Sequence, residues 1–251
     1  MKALKLILIV AAVALAPAIA WAAEGAGGGL ADTEHDFSGL GTTTLTGLCT
    51  FCHTPHKASQ TTLLWNHKLS TNNFTWDVPK TTAGTEFPTI VGDTYKGSTA
   101  KCLSCHDGTV AVGDLAWWDG AANPTAVGGK GALPAGDKHI ITSGAGGASM
   151  KGNHPVAMPY PYGGVANTYN GKTTGSAFEA TEWRTPPVLP VRLFNDDSSG
   201  NITAGAVAAK SGIECSSCHD PHNKQTEDMR FLRGTMGGNT TAYICLKCHI
   251  K

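Results

Sequence analysis

Cys49-Thr50-Phe51-Cys52-His53-Thr54-Pro55-His56 is the phrase on which the reading of this chain turns, and it returns as Cys215-Ser216-Ser217-Cys218-His219-Asp220-Pro221-His222. Shorter forms stand at Cys102-Leu103-Ser104-Cys105-His106 and Cys245-Leu246-Lys247-Cys248-His249. All 8 cysteines of the protein fall inside these four segments. C-x-x-C-H is the attachment motif of c-type haem: two thiols add to the two vinyl groups of one porphyrin, and the adjacent histidine reaches its iron from the same side. Paired cysteines can also hold zinc, close disulfides in an exported chain or form a thioredoxin-like redox pair. None of those uses requires histidine directly after the second cysteine. With 10 histidines in 251 residues, four such coincidences have a probability on the order of 10⁻⁶, so the haem reading leads.

On that reading Cys49, Cys52, Cys102, Cys105, Cys215, Cys218, Cys245 and Cys248 bind four haem c groups, and His53, His106, His219 and His249 are the proximal iron ligands. His35, His56, His67, His139, His154 and His222 remain, so histidine is in surplus for four distal positions. Met150, Met158, Met229 and Met236 could also serve as axial ligands, but packing accounts for them. Bis-histidine ligation is therefore expected throughout. His56 and His222 each follow a proximal histidine by three residues. Such a residue cannot swing to the far face of its own haem, but it can reach the iron of a neighbouring one, with Pro55 or Pro221 stiffening the link. His154, in a long interval without a motif, reads as a distal ligand. His35, just before the first motif, can serve the first haem of its own chain or reach another molecule. His67 and His139 are held in reserve as surface or propionate partners.

The first residues read as a secretory leader. Lys2 and Lys5 precede an apolar stretch too short to span a bilayer, and Ala20-Trp21-Ala22 offers a cleavage site after Ala22. Taking Lys2 and Lys5 from 19 Lys and Arg leaves 17, against 19 Asp and Glu, a mature charge of about −2. No basic stripe is present, which argues against nucleic acid or an anionic membrane surface as partner, and no later stretch is apolar enough to cross a membrane. Charged residues make up 15% of the chain and aromatic residues 7%, with 31 glycines, so side chains alone make a poor core.

Residues 23–251 read as one tetrahaem unit: a haem pair over 49–106, an interval rich in glycine, proline and aromatic residues over 107–210, and a second haem pair over 211–251. The expected fold is mostly irregular, with short helices and a few short β-hairpins packed around four haems. A helix is expected over 241–248, and a hairpin with strands at 188–194 and from Ile202 onward. Its turn, Asn195 to Gly200, has part of a calcium-loop pattern, but Ala206 stands where the final bidentate Glu belongs, so the turn reading is kept.

The motifs, with Asn153-His154-Pro155-Val156, resemble the doubled C-x-x-C-H family of multihaem cytochromes, and within it the OmcE-type tetrahaem cytochromes of metal-reducing bacteria. The resemblance implies little regular structure, bis-histidine irons with His35, His56, His154 and His222 as distal ligands, and extracellular filaments in which one distal histidine comes from the adjacent subunit. The expected function is electron transfer without an open catalytic iron, in a protein exported through the periplasm to the outer cell surface or beyond. Expected partners are further copies of itself head to tail, other multihaem cytochromes as donors, and extracellular acceptors. Two alternatives stand beside it: a monomeric periplasmic shuttle, and a multihaem reductase of nitrite, hydroxylamine or a similar small molecule.

Overall fold

After the expected leader, glycine, proline and small polar residues interrupt the apolar runs of this chain, and its strands are correspondingly short. The computed structural model describes residues 26–40, 48–60, 62–143, 146–238 and 240–250; the leader expected at 1–22 lies outside them. β1 (Asn73–Phe74) pairs with β2 (Ile90–Val91), and β3 (Trp117–Trp118) with β4 (Ala121–Ala122). After β5 (Met158–Pro159), β6 (Thr168–Tyr169) pairs with β7 (Lys172–Thr173). β8 (Phe194–Asp196), β9 (Ile202–Ala204) and β10 (Ser211–Ile213) join β5 in an antiparallel sheet of order β5-β10-β8-β9. Among the described residues, no helix is long and apolar enough to cross a membrane.

The longest helix among the described residues, Ser98–His106, carries the second motif. A four-residue helix, Cys215–Cys218, carries the third, and a 3₁₀ turn, Ile244–Lys247, the fourth. At the first motif the chain makes one turn, in which His53 N–H donates to the Cys49 carbonyl at 2.8 Å. The helix expected over 241–248 is therefore only a 3₁₀ turn. Ile244 N–H leaves it to donate to the Thr235 carbonyl, at 3.1 Å, rather than to the preceding turn.

The hairpin stands at β8 and β9, but its first strand begins at Phe194 rather than at 188. Pro186, Pro187 and Pro190 have no N–H to give to a ladder, and Val188 N–H is turned instead to the Lys247 carbonyl, at 2.8 Å. Asn195 and Asp196 belong to the strand, and the turn is closed by Asp197. Its Oδ1 accepts N–H groups from Ser199 and Asn201, and its Oδ2 accepts from the Asn201 side chain.

Phe74, Ile90, Tyr95, Ala100, Leu103, Met150, Ala157, Tyr169 and Ile202 form one buried cluster joining the helix Ser98–His106 to the sheet. Tyr169 lies so close to β10 that a Cβ on Gly212 would sit 2.2 Å from its ring, so only glycine fits there. The cluster takes residues from both the motif-bearing helix and the long central interval, so the interval packs as part of the body. Several charged residues are buried as well, among them Lys101, Glu214, Arg233 and Lys247.

Candidate functional site

Three of the four motifs are held by the same clasp. A residue opposite the motif histidine forms a bridge with it: Trp65 with His53, Leu232 with His219, Trp183 with His249. The next residue donates its N–H to the carbonyl of the second cysteine: Asn66 to Cys52 at 2.9 Å, Arg233 to Cys218 at 2.8 Å, Arg184 to Cys248 at 2.8 Å. Its side chain then donates to the carbonyl of the first x of C-x-x-C. Asn66 Nδ2 reaches Thr50 at 2.6 Å, Arg233 Nε reaches Ser216 at 3.3 Å and Arg184 Nε reaches Leu246 at 2.6 Å. A single turn leaves its carbonyls without partners, and the clasp supplies them. In the second motif the equivalent Leu103 carbonyl accepts Asp107 N–H at 3.0 Å, because there the helix continues far enough to satisfy itself.

Three of the motif histidines are anchored through Nδ1 on backbone carbonyls: His53 on Leu63 at 2.6 Å, His106 on His139 at 2.7 Å and His219 on Arg230 at 2.8 Å. This leaves Nε2 free to meet a metal, the arrangement that orients histidine ligands. The residues carrying two of these carbonyls sit in left-handed pairs, Leu63-Leu64 and Arg230-Phe231, with φ of 62° and 51° and of 60° and 56°. The backbone is turned at both places to aim a carbonyl at the histidine.

Opposite three of the motif histidines stands a second imidazole. Ring centroids of His53 and His222 are 6.1 Å apart, those of His106 and His35 6.1 Å, and those of His249 and His154 6.4 Å. Two iron–nitrogen bonds of about 2 Å each, with half a ring at either end, require roughly 6 Å, so these pairs leave room for one iron. Burial, then His106, holds His35 down at about 4, and burial also lowers His106 and His219. Neutral imidazole is the form a metal binds. His219 has no histidine ring at that spacing among the described residues, and His56 is exposed with no ring against it.

None of the eight cysteines forms a disulfide. Burial raises Cys105 to about 12, with Cys52 adding to the effect, and raises Cys248 to about 12, with Cys218 adding. Cys215 is raised by a hydrogen bond with Cys102 and then by burial. Cys102 of the second motif thus meets Cys215 of the third, the middle contact along the chain, while Cys52 lies within electrostatic reach of Cys105 and Cys218 of Cys248. The middle contact is built on Glu214. Its carboxylate accepts both the Tyr95 and Tyr169 hydroxyls and, at 2.8 Å, Thr99 N–H in the first turn of the helix Ser98–His106. Glu214 also makes a capping box with Ser217 at the start of Cys215–Cys218. One carboxylate therefore caps two motif-bearing helices at once.

Residues 206–251 match the family model of the doubled CXXCH motif. That motif indicates covalently bound haem c and supports a multihaem c-type cytochrome in electron transfer. No curated protein matches the chain. The residues present fit the group: paired thiols, three motif histidines anchored through Nδ1, and imidazole pairs spaced for an iron.

The two histidines held in reserve have other partners. His67 is buried, with Nδ1 2.6 Å from the Lys68 carbonyl and Nε2 3.0 Å from that of Ala111 and 3.4 Å from Cys105 Sγ. His139 places Nδ1 2.8 Å from Asp137 and Nε2 3.9 Å from Glu34. Sequence reasoning missed Asn66, Arg184, Arg233 and Glu214. Only Glu214 carried a signal, as an acid directly before a motif cysteine in a chain sparse in charge.

Proposed function

We propose that the protein is an extracellular electron conduit, a tetrahaem c-type cytochrome of the OmcE type with bis-histidine irons, which polymerises head to tail. The three imidazole pairs carry this reading. Bound haem supplies one-electron exchange, and an iron held by histidine on both faces offers no position to a substrate. His53, His106, His219 and His249 are the fixed ligands, and His222, His35 and His154 face His53, His106 and His249 in that order. The cysteine contacts between successive motifs support one unbroken run of sites through the chain. The leader directs export through the periplasm, other multihaem cytochromes supply electrons, and extracellular acceptors take them.

The one unmatched pair supports the polymer. The third motif supplies His222 to His53 of the first, and the first and third motifs share one clasp. Continuing the same step by one unit, the first motif of the next copy supplies His56 to His219. That contact is heterologous, and with a rotation between copies that does not close a ring it builds a filament. The variant His56→Ala should keep four covalent haems, lose filaments in negative-stain micrographs and turn one of four low-spin haems into a ligand-accepting one. Normal filaments from His56→Ala would refute the contact, and uniform small particles from the unaltered protein would favour a monomeric periplasmic shuttle.

The unmatched His219 also favours a second reading, a reductase of a small nitrogen oxide working at that iron. Assembled wild-type protein that binds nitrite or carbon monoxide at one haem would support the reductase. Four low-spin haems that bind neither would support the conduit.

A further inference from the structure

The clasp at three of the four motifs is the same in backbone but not in charge. Each first-x carbonyl, of Thr50, Ser216 and Leu246, closes a turn too short to satisfy it, and each takes a side-chain donor from outside the motif. The donors come from unrelated places in the sequence: Asn66 and Arg233 follow their motifs closely, whereas Arg184 precedes its own by some sixty residues. The same contact reached by such different routes marks a requirement of the site. Where a longer helix supplies Asp107 N–H to the Leu103 carbonyl, that carbonyl takes its donor from the backbone.

We propose that Asn66, Arg184 and Arg233 are positioning residues for haem attachment, each fixing its C-x-x-C turn so that both thiols meet one porphyrin, and that the two arginines also raise the potential of their haems above that of the site held by Asn66. The proposal rests on the reading of the four motifs as haem sites. A guanidinium stays charged at every pH a protein survives. Reduction adds an electron to the iron, so a fixed positive charge nearby favours the reduced form. Asn66 gives the same hydrogen bond with no charge. Arg233 is 2% exposed and lies 3.4 Å from Asp220, which offsets part of its field, so Arg184 is the cleaner test.

Intact mass of the unaltered mature protein comes first. A chain without covalent haem fails the haem reading itself, whereas four haems leave the clasp to be tested by variants. Arg184→Leu should lose one haem from a large share of chains, with peptide mapping placing the loss at Cys245 and Cys248. Arg184→Gln should keep all four, since an amide suffices at Asn66, yet move one of the four reduction potentials negative and leave the others in place. Full haem loading of Arg184→Leu would overturn the positioning role, as would haem loss from Arg184→Gln. Unmoved potentials in Arg184→Gln, or equal shifts at all four haems, would overturn the tuning role. If Arg184→Leu fails to fold, the loading and potentials of Arg184→Gln still decide.

Discussion

The second and fourth motifs hold the same five-residue pattern by opposite means. The second lies in the nine-residue helix Ser98–His106, which satisfies its own first-x carbonyl and needs help mainly at its N-terminus, where Glu214 arrives from the far end of the chain. The fourth is one 3₁₀ turn, Ile244–Lys247, clasped by Trp183 and Arg184. Behind the clasp, the Tyr160 hydroxyl donates to the Arg184 carbonyl at 2.6 Å and lies 3.3 Å from that of Cys248. Trp183 lies against the motif histidine, with ring centroids 4.4 Å apart. A helix concentrates its dependence on one cap, and a lone turn spreads it over several neighbours. Disruption at the second motif should therefore be severe and centred on one residue, and at the fourth milder at each position.

The sharpest way to break this contrast is Glu214→Leu. The substitution uncaps two helices and removes the carboxylate that accepts both the buried Tyr95 and Tyr169 hydroxyls. Glu214 is 1% exposed, so no water replaces it. Several hydrogen bonds to a buried charge vanish together, at a cost of about 3–5 kcal/mol. Thermal unfolding of the haem-loaded protein would measure it. A loss no larger than that of an ordinary surface substitution would show that the two helices do not depend on their shared cap.

Lys101 sharpens the same side through pH. It is buried in the helix Ser98–His106, with Nζ 2.9 Å from the Lys96 carbonyl. Burial lowers it to about 8, against the partial support of Glu214 and Cys102. A lysine with a folded value below its unfolded one costs stability while charged, and the cost is relieved as pH rises from about 8 to the unfolded value. Relative to Lys101→Met, the unaltered protein should gain about 2–3 kcal/mol between pH 8 and 10.5, and the difference should be flat below pH 8. Parallel stability curves for the two proteins across that window would contradict the assignment.

How far these dependencies could be read in the sequence differs from site to site. Spacing alone marked the eight cysteines and their adjacent histidines as the candidates, because attachment chemistry acts within five residues. The position of His222 three residues after His219 already restricted it to a neighbouring site, and the structure sets it opposite His53. The β8–β9 hairpin was legible from its polar turn, although prolines shift its first strand. His35 was harder. It stands ahead of the first motif in sequence but faces His106 of the second, because Phe231 and the Pro221 carbonyl hold its ring there. The clasps and the Glu214 joint were out of reach. They depend on which distant backbone lies against a turn, and arginine or asparagine in a loop carries no mark of a buried carbonyl partner.

The smallest effect tests the distributed side of the contrast. Tyr160→Phe removes one hydroxyl from behind the fourth motif and leaves its ring in place. Tyr160 is 1% exposed and lies edge-on to Trp183, with centroids 5.2 Å apart, so packing is preserved. The Arg184 carbonyl loses its donor, while the Arg184 hydrogen bonds to Cys248 and Leu246 remain. The expected cost is about 1–2 kcal/mol, the value of one buried hydrogen bond whose acceptor is left unpaired. Hydrogen exchange should speed at the Arg184 and Ile250 amides, which bind across the clasp, and stay unchanged at Thr99 and Asp107 in the helix. Equal acceleration in both places would mean that the two motifs unfold as one unit, and the division between a capped helix and a clasped turn would fail.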